Sequence, residues 1–389
     1  MFALTQLLLL LLSLWTSLTV GFAPSSISIF PSSSVSSNSS STVTVNMVKY
    51  DLWGKTVDLE LDPEHFPSPD DLAEMDRICG GTEHGWFTSA TGLDIHYRKF
   101  VPTTTTKPQA ALLFVHGIMG HSGLAFELKD GRFTSMGLIS RMALQKDVVV
   151  YAIDLSGHGF SGGKRFYVPG FREQRDEVIQ LMQIMANDFP ELPLFVLGIS
   201  YGGALAVHTG YHLQQNPSLV PNFQGLLLAC PALDAEIPPF PIKFTLRYIL
   251  APLFPTWTPF FMPHPVTPDR TWSQPEVQKL FVGESQAPRG LAKCGTPFCL
   301  GTGVSLLDSL EVAQAEALPN LKIPFCVAHG TSDYAVFPSG TDLLWKSCQT
   351  PEKDRSLQMV EGAYHDLIAE PTAESTMEFL LGWMMSRLD

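Results

Sequence analysis

Charge is scarce in this chain. Charged residues fill 16% of the 389 positions, and none occurs before Lys49. Acidic residues outnumber basic ones by 38 to 25, a formal net charge of −13 with no run of Lys or Arg. A chain of that sign without a basic patch binds polyanions poorly, so nucleic acid is not an expected partner. Cysteine is sparse as well. The six, Cys79, Cys230, Cys294, Cys299, Cys326 and Cys348, include no C-x-x-C pair, which excludes a zinc ribbon or a thioredoxin-like site. They are expected to act as small core hydrophobes. The 30 Gly and 30 Pro follow no fixed period, so collagen and solenoid repeats are excluded. No cofactor is expected. His208 and His212 are four apart on a predicted helix, but they lack the H-E-x-x-H arrangement of a metal site and read as helix-surface histidines. Low charge with 45% hydrophobic residues excludes wholesale disorder.

What is present begins with an address. An apolar stretch runs from Phe2 to Val20, with leucine at every position from Leu7 to Leu12. Its length borders on that of a membrane span. Thr5, Gln6, Ser13, Thr16 and Ser17 interrupt it and Gly21 follows, so residues 1–21 read as a signal peptide. Ser fills 11 of the 17 positions from 25 to 41, and the segment 22–48 is too polar to build a core. The junction Gly21-Phe22-Ala23-Pro24 resembles the bipartite presequences of algae with secondary plastids. That resemblance implies a plastid reached by the secretory route, with secretion or an endomembrane lumen as the alternative.

From about Lys49 the chain reads as one α/β domain over 49–389. Ala111–Val115, Val148–Ile153, Leu194–Leu197, Leu226–Ala229 and Ile323–Ala328 are continuously apolar and predict buried strands. Leu93–Phe100 alternates and predicts a half-exposed strand. Phe171–Phe189, Gly203–Gln215, Thr341–Cys348 and Ala373–Arg387 have helical spacing. Alternating strands and helices predict a mostly parallel central sheet with helices on both faces. No strand pattern appears from about 231 to 318, which reads as a helical cap inserted between two strands. Seven aromatics and seven prolines lie between Ile237 and Pro263, too many prolines for a sheet.

Two segments fit G-x-S-x-G, around Ser161 and around Ser200. A nucleophile elbow needs a strand running into it and a helix starting after it. Leu194–Leu197 supplies the strand for Ser200, and Gly203-Ala204-Leu205-Ala206 supplies the helix start. Ser161 is followed instead by Lys164, Arg165 and Pro169. The same context speaks against a dinucleotide site at Gly157-His158-Gly159-Phe160-Ser161-Gly162, because no helix follows to hold a pyrophosphate. A nucleophilic serine needs a base and an orienting acid, which follow this elbow in the order acid, then histidine. His365 is the one histidine after the last strand-like run, and Asp333 leaves the end of the preceding strand. The expected oxyanion donors are the backbone N–H groups of Tyr201, after the nucleophile, and of Ile118, in Val115-His116-Gly117-Ile118.

These residues, with His121-Ser122-Gly123, the run from Asp154 to Gly163, His329-Gly330 and Glu370-Pro371, resemble the monoglyceride lipase-like branch of the α/β-hydrolases, also labelled serine aminopeptidase-like. The resemblance runs from about Asp94 to near the C-terminus. It implies an α/β-hydrolase fold, a Ser200–His365–Asp333 triad, oxyanion donors at Ile118 and Tyr201, and hydrolysis of a lipid ester through an acyl-enzyme. Monoacylglycerol or lysophospholipid leads among the implied substrates. The elbow departs from the branch's usual G-H-S-M-G, with Ile199 for His and Tyr201 for Met, and Tyr201 is expected to project toward the acyl pocket. An acyltransferase, a phenolic-ester esterase, a haloperoxidase-like or C–C bond hydrolase, and a non-catalytic receptor on the same scaffold are the alternatives.

The cap invites a partner. Phe240, Phe244, Trp257, Phe260 and Phe261 are expected either to line the acyl pocket or to rest on a membrane. Drawn as a helix, Ile242, Leu246, Ile249 and Leu250 share one face, with Lys243 and Arg247 beside it to meet anionic lipid. No feature of the sequence sets an oligomeric state.

Overall fold

The computed structural model describes residues 69–103, 107–259, 262, 266–287 and 290–388. The expected signal peptide, the Ser-rich segment, Phe260 and Phe261 lie outside the described residues.

Among the described residues eight strands form one sheet: β1 (Glu83–Thr88), β2 (Asp94–Phe100), β3 (Ala110–Val115), β4 (Val148–Ile153), β5 (Leu194–Ile199), β6 (Phe223–Ala229), β7 (Phe325–Gly330) and β8 (Arg355–Val360). Their spatial order is β1-β2-β4-β3-β5-β6-β7-β8. The pairs β1–β2 and β2–β4 are antiparallel. The other pairings, from β4–β3 across to β7–β8, are parallel.

The continuous apolar runs feed two cores at once, because successive side chains of a strand point to opposite faces. Ala111, Leu113 and Val115 of β3 join one core, and Ala110, Leu112 and Phe114 join the other. Helices α3 (Phe171–Asp188) and α4 (Tyr201–Gln215) cover the first face. Helices α2 (Ser135–Leu144) and α10 (Ala373–Met385) cover the second. A short helix α1 (Pro69–Cys79) precedes β1. Each Val or Leu fully buried this way is worth about 1.5–3 kcal/mol.

Between β6 and β7 the described residues form helices and no strand. Helix α5 (Phe240–Thr245) runs through a π-helical turn, Leu246–Leu250, into Ala251–Leu253. Helices α6 (Pro268–Thr271), α7 (Pro275–Gln286) and α8 (Leu300–Val312) follow, the last continuing through a π-helical turn at Ala313–Ala317. Helix α9 (Ser339–Ser347) lies between β7 and β8. No helix among the described residues is long and apolar enough to cross a membrane.

His208 is buried rather than on the helix surface as expected. It stacks against Phe171 and its Nε2 lies 2.9 Å from the Ser309 carbonyl oxygen, so it joins α4 to the cap helix α8. Lys243 and Arg247 do not wait for lipid headgroups either. Lys243 pairs with Glu311 at 2.7 Å, and Arg247 binds Glu311 at 2.8 Å and Asp308 as well. Cations spent on α8 carboxylates leave the apolar face of α5 nearly neutral.

Candidate active site

Ser200 stands where β5 ends and α4 begins, with φ 55° and ψ −122°. A non-glycine residue pays strain for that conformation, and here it lifts the hydroxyl clear of the sheet. The neighbouring glycines make the turn possible. A Cβ at Gly198 would meet the Gly202 carbonyl oxygen at 2.3 Å, and one at Gly202 would meet the Val115 carbonyl oxygen at 2.2 Å. The G-x-S-x-G pattern is thus a packing requirement at this position.

Ser200 Oγ lies 2.8 Å from His365 Nε2, and His365 Nδ1 lies 2.7 Å from Asp333 Oδ2. The three side chains come from three loops, after β5, β8 and β7. Burial works against the His365 imidazolium, but the Asp333 charge and hydrogen bond outweigh it and raise the ring above its ordinary 6.5. Burial likewise disfavours the Asp333 carboxylate. The facing His365, with hydrogen bonds from His329 and His365, nonetheless holds it well below the usual carboxylate range. Its other oxygen, Oδ1, accepts the N–H groups of Ala335 and Val336 at 2.9 and 2.8 Å. The Cys230 thiol, the Asp333 carboxylate and the His365 ring each have an atom within 4.8 Å of the other two.

Ile118 lies in the loop after β3, beside Ser200. A Cβ at Gly117 would come within 3.1 Å of Ser200 Cβ, so that loop passes close over the hydroxyl. Two buried groups fix its path. The Leu155 N–H donates to His116 Nε2, so His116 carries its proton on Nδ1 and donates to the Gly117 carbonyl at 2.7 Å. Asp154 Oδ1 accepts the Ser122 N–H at 2.6 Å, while Oδ2 meets His96 Nδ1 and the Phe160 N–H at 2.8 and 2.9 Å. Tyr201 heads α4, so its N–H has no acceptor within the helix.

The Tyr201 side chain does not enter the pocket, contrary to expectation. It is 2% exposed, packs in the core, and its hydroxyl donates to Gln174 Oε1 at 2.9 Å. Ser161 is also settled by its contacts. It is buried, accepts the His96 N–H at 2.8 Å and donates to the Asp154 carbonyl. The second G-x-S-x-G therefore serves the loop that carries Asp154.

Beside Ser200 lies a cavity of about 100 Å³ lined mainly by apolar groups, among them Ile118, Met119, Trp272, Phe281 and Ile368. That is well below the roughly 300–1,000 Å³ of sites that enclose a whole ligand. The expected cap aromatics are elsewhere: Phe240, Phe244 and Trp257 are 73%, 45% and 46% exposed on the outside of the cap. The pocket wall comes instead from Trp272 and Phe281, residues the sequence did not single out. Asp366, next to His365, also lines the cavity, and burial pushes its carboxyl up to about 6.

Residues 106–372 match the family model described as serine aminopeptidase, S33. The chain is 30% identical to human monoglyceride lipase over 283 residues, which cover 72% of this chain and 83% of that protein. It is 27% identical over 308 residues to a monoacylglycerol lipase of Mycolicibacterium smegmatis, covering 79% of this chain and 98% of the relative. A solved monoacylglycerol lipase from Paleococcus ferrophilus shares the fold at a TM-score of 0.58 and 22% identity, over 75% of this chain and 98% of that one.

Proposed function

Because the chain belongs to the serine aminopeptidase, S33 family and is a carboxylic ester hydrolase of the α/β-hydrolase fold, we propose that Ser200, His365 and Asp333 hydrolyse a lipid ester, a monoacylglycerol or lysophospholipid. The observation behind this reading is the unbroken line from Ser200 Oγ through His365 to Asp333, with links of 2.8 and 2.7 Å. In it His365 Nε2 takes the proton of Ser200 as the hydroxyl oxygen attacks the ester carbonyl. The developing oxyanion accepts the N–H groups of Ile118 and Tyr201, held by the His116 and Asp154 bonds and by the head of α4. His365 returns the proton to the leaving alcohol, leaving an acyl-Ser200 ester. Water, deprotonated by the same imidazole, then releases the acid and regenerates the serine. Asp333 holds Nδ1 protonated and steadies the imidazolium.

The enzyme is further proposed to meet its substrate at a lipid layer. Phe240, Phe244 and Tyr248 form an exposed ridge one helical turn apart, with ring centroids 6.0 and 4.9 Å apart in succession. Ile242, Ile249, Leu253 and Trp257 are exposed near them in sequence. Soluble proteins rarely leave such a patch uncovered. The apolar character of the substrate class and the neutrality of this face both favour uncharged or zwitterionic lipid. A plastid address through residues 1–48 remains our proposal from the sequence. Fusing that segment to a fluorescent protein in a diatom tests it, and fluorescence confined to the endomembranes or medium refutes it.

The substrate proposal is tested by assaying the purified chain from Lys49 onward against monoacylglycerols, lysophosphatidylcholine and aryl esters, beside Ser200→Ala. Turnover of acylglycerol or lysophospholipid that vanishes in Ser200→Ala supports it. Turnover of aryl esters alone rejects the lipid reading.

A further inference from the structure

His329, the penultimate residue of β7, is fully buried. Its Nε2 lies 3.2 Å from Asp333 Oδ2, the same oxygen that His365 Nδ1 approaches at 2.7 Å. The Val336 carbonyl oxygen is 3.3 Å from that Nε2 as well. On the opposite side of the ring, Nδ1 lies 2.7 Å from Thr341 Oγ1 on α9. A carboxylate and a carbonyl only accept hydrogen bonds, so Nε2 carries the proton. Nδ1 is then bare and accepts the Thr341 hydroxyl, which locks that tautomer.

We infer that His329, fixed by Thr341, is a positioning residue for the acid of the reaction: its Nε2–H shares Asp333 Oδ2 with His365 and so sets both the orientation and the strength of the carboxylate's hold on the catalytic imidazole. The inference rests on the Ser200–His365–Asp333 reading above. With Ala335 and Val336 on Oδ1 and two imidazoles on Oδ2, the carboxylate cannot rotate without leaving a donor unpaired. The share taken by His329 also draws negative charge away from His365. Without it, Asp333 would stabilise the imidazolium more strongly, and His365 would hold its proton to higher pH. Among the described residues the other ionisable groups facing this pair are Cys230 at the end of β6 and Asp366 beside His365, with Glu370 acting on Asp366 from further along the same loop. A change at His329 leaves all three in place.

The experiment is a pH profile of kcat and kcat/KM on a soluble aryl ester for His329→Leu, His329→Gln and Thr341→Val. His329→Leu should lower kcat about tenfold or more with KM nearly unchanged, as expected when an orienting group is lost. Its acid limb should move to higher pH. His329→Gln, whose amide N–H can replace the donor, should restore the limb and most of kcat. Thr341→Val should lower kcat severalfold, and combining it with His329→Leu should add nothing further. An unmoved acid limb together with unchanged kcat per folded molecule, in His329→Leu or in Thr341→Val should the former fail to fold, overturns the inference. Activity surviving in Ser200→Ala would instead locate the failure in the triad reading.

Discussion

The indole N–H of Trp272 donates to Asp366 Oδ2 at 2.8 Å, one residue beyond His365. Ser273 adds a second tie, its N–H donating to Glu370 Oε1 at 2.8 Å. The Lys293 N–H donates to the Met119 carbonyl at 3.0 Å, next to Ile118. The cap is thus fastened to the loop that bears His365 and to the loop that bears Ile118. Movement of the cap and geometry of the site are mechanically linked.

That link gives a pH-dependent cost to Trp272→Phe. Asp366 is raised from 3.8 to about 6 by burial, against the opposing bond from Trp272. Between these values the folded protein holds the proton more tightly, so this carboxyl lowers stability as pH rises through the window. The variant removes a donor that matters most to the charged form. It should cost about 1–3 kcal/mol at pH 8 and clearly less at pH 5. Denaturant unfolding at the two pH values measures it, and an equal or larger cost at pH 5 refutes the assignment.

Glu177 offers a cleaner version of the same linkage. It is buried on α3, where its Oε2 accepts the Ser156 N–H at 3.0 Å and its Oε1 has no hydrogen-bond partner among the described residues. Burial pushes its carboxyl from 4.5 up to about 7. At about 1.36 kcal/mol per pH unit, ionising it in the fold costs up to roughly 3 kcal/mol, absent below pH 4.5 and complete above 7. Glu177→Gln keeps the acceptor and removes the charge. Its stability relative to the parent should therefore rise between pH 5 and pH 8. A constant difference across that range would show that Glu177 is not taken up protonated.

The two candidate elbows separate by mutation. Ser200→Ala should lower kcat by about a thousandfold or more while the protein stays folded. Ser161→Ala should lower stability, because the His96 N–H and the Asp154 carbonyl both lose a partner, yet retain turnover. Activity should also climb with pH along a limb set by His365 above its ordinary 6.5, since the base must be neutral. Asp333→Asn should move that limb down. The reverse pattern between the two serines would transfer the nucleophile to Ser161.

The sequence disclosed what local pattern could carry. Buried strands are continuously apolar, so β3, β4 and β5 were legible within a residue or two, and each loop residue of the triad follows its own strand. Strand β1 was not, because Glu83–Thr88 is an edge strand with an exposed face and a glycine under the Tyr97 ring. Helix α2 was missed because Ser135, Gly137 and Ser140 stand among its ten residues, types that favour turns and caps over a helix interior. Asp154 and His329 lay within quoted motifs, yet their work depends on contacts with residues distant in sequence. The direction of Tyr201 depends on Gln174, and the fate of Arg247 on Asp308 and Glu311, more than 60 positions away. No spacing rule reports such partners.

The cap ridge yields a prediction that distinguishes a lipid-facing surface from a merely tolerated one. Phe240 and Tyr248 are 73% and 62% exposed, so replacing both by Ser removes little buried surface and should leave folding within about 0.5 kcal/mol. In water their rings gain only their contacts with Phe244. At a bilayer they would add burial at about 25 cal/mol per Å². The cavity of about 100 Å³ beside Ser200 has room for a short acyl group but not for a long chain. A long-chain ester therefore extends beyond this cavity, while a short soluble ester does not. Phe240→Ser with Tyr248→Ser should weaken binding to phosphatidylcholine vesicles and slow long-chain monoacylglycerol turnover in them, with hydrolysis of a short aryl ester nearly unchanged. Since Lys243 and Arg247 are already paired on α8, vesicle binding should depend little on salt or on anionic lipid, unlike a basic amphipathic helix. Binding that needs anionic lipid and is lost at high salt would mean those ion pairs open at the surface. Equal loss on both esters would mean the ridge only supports the pocket, and the membrane proposal would then fall.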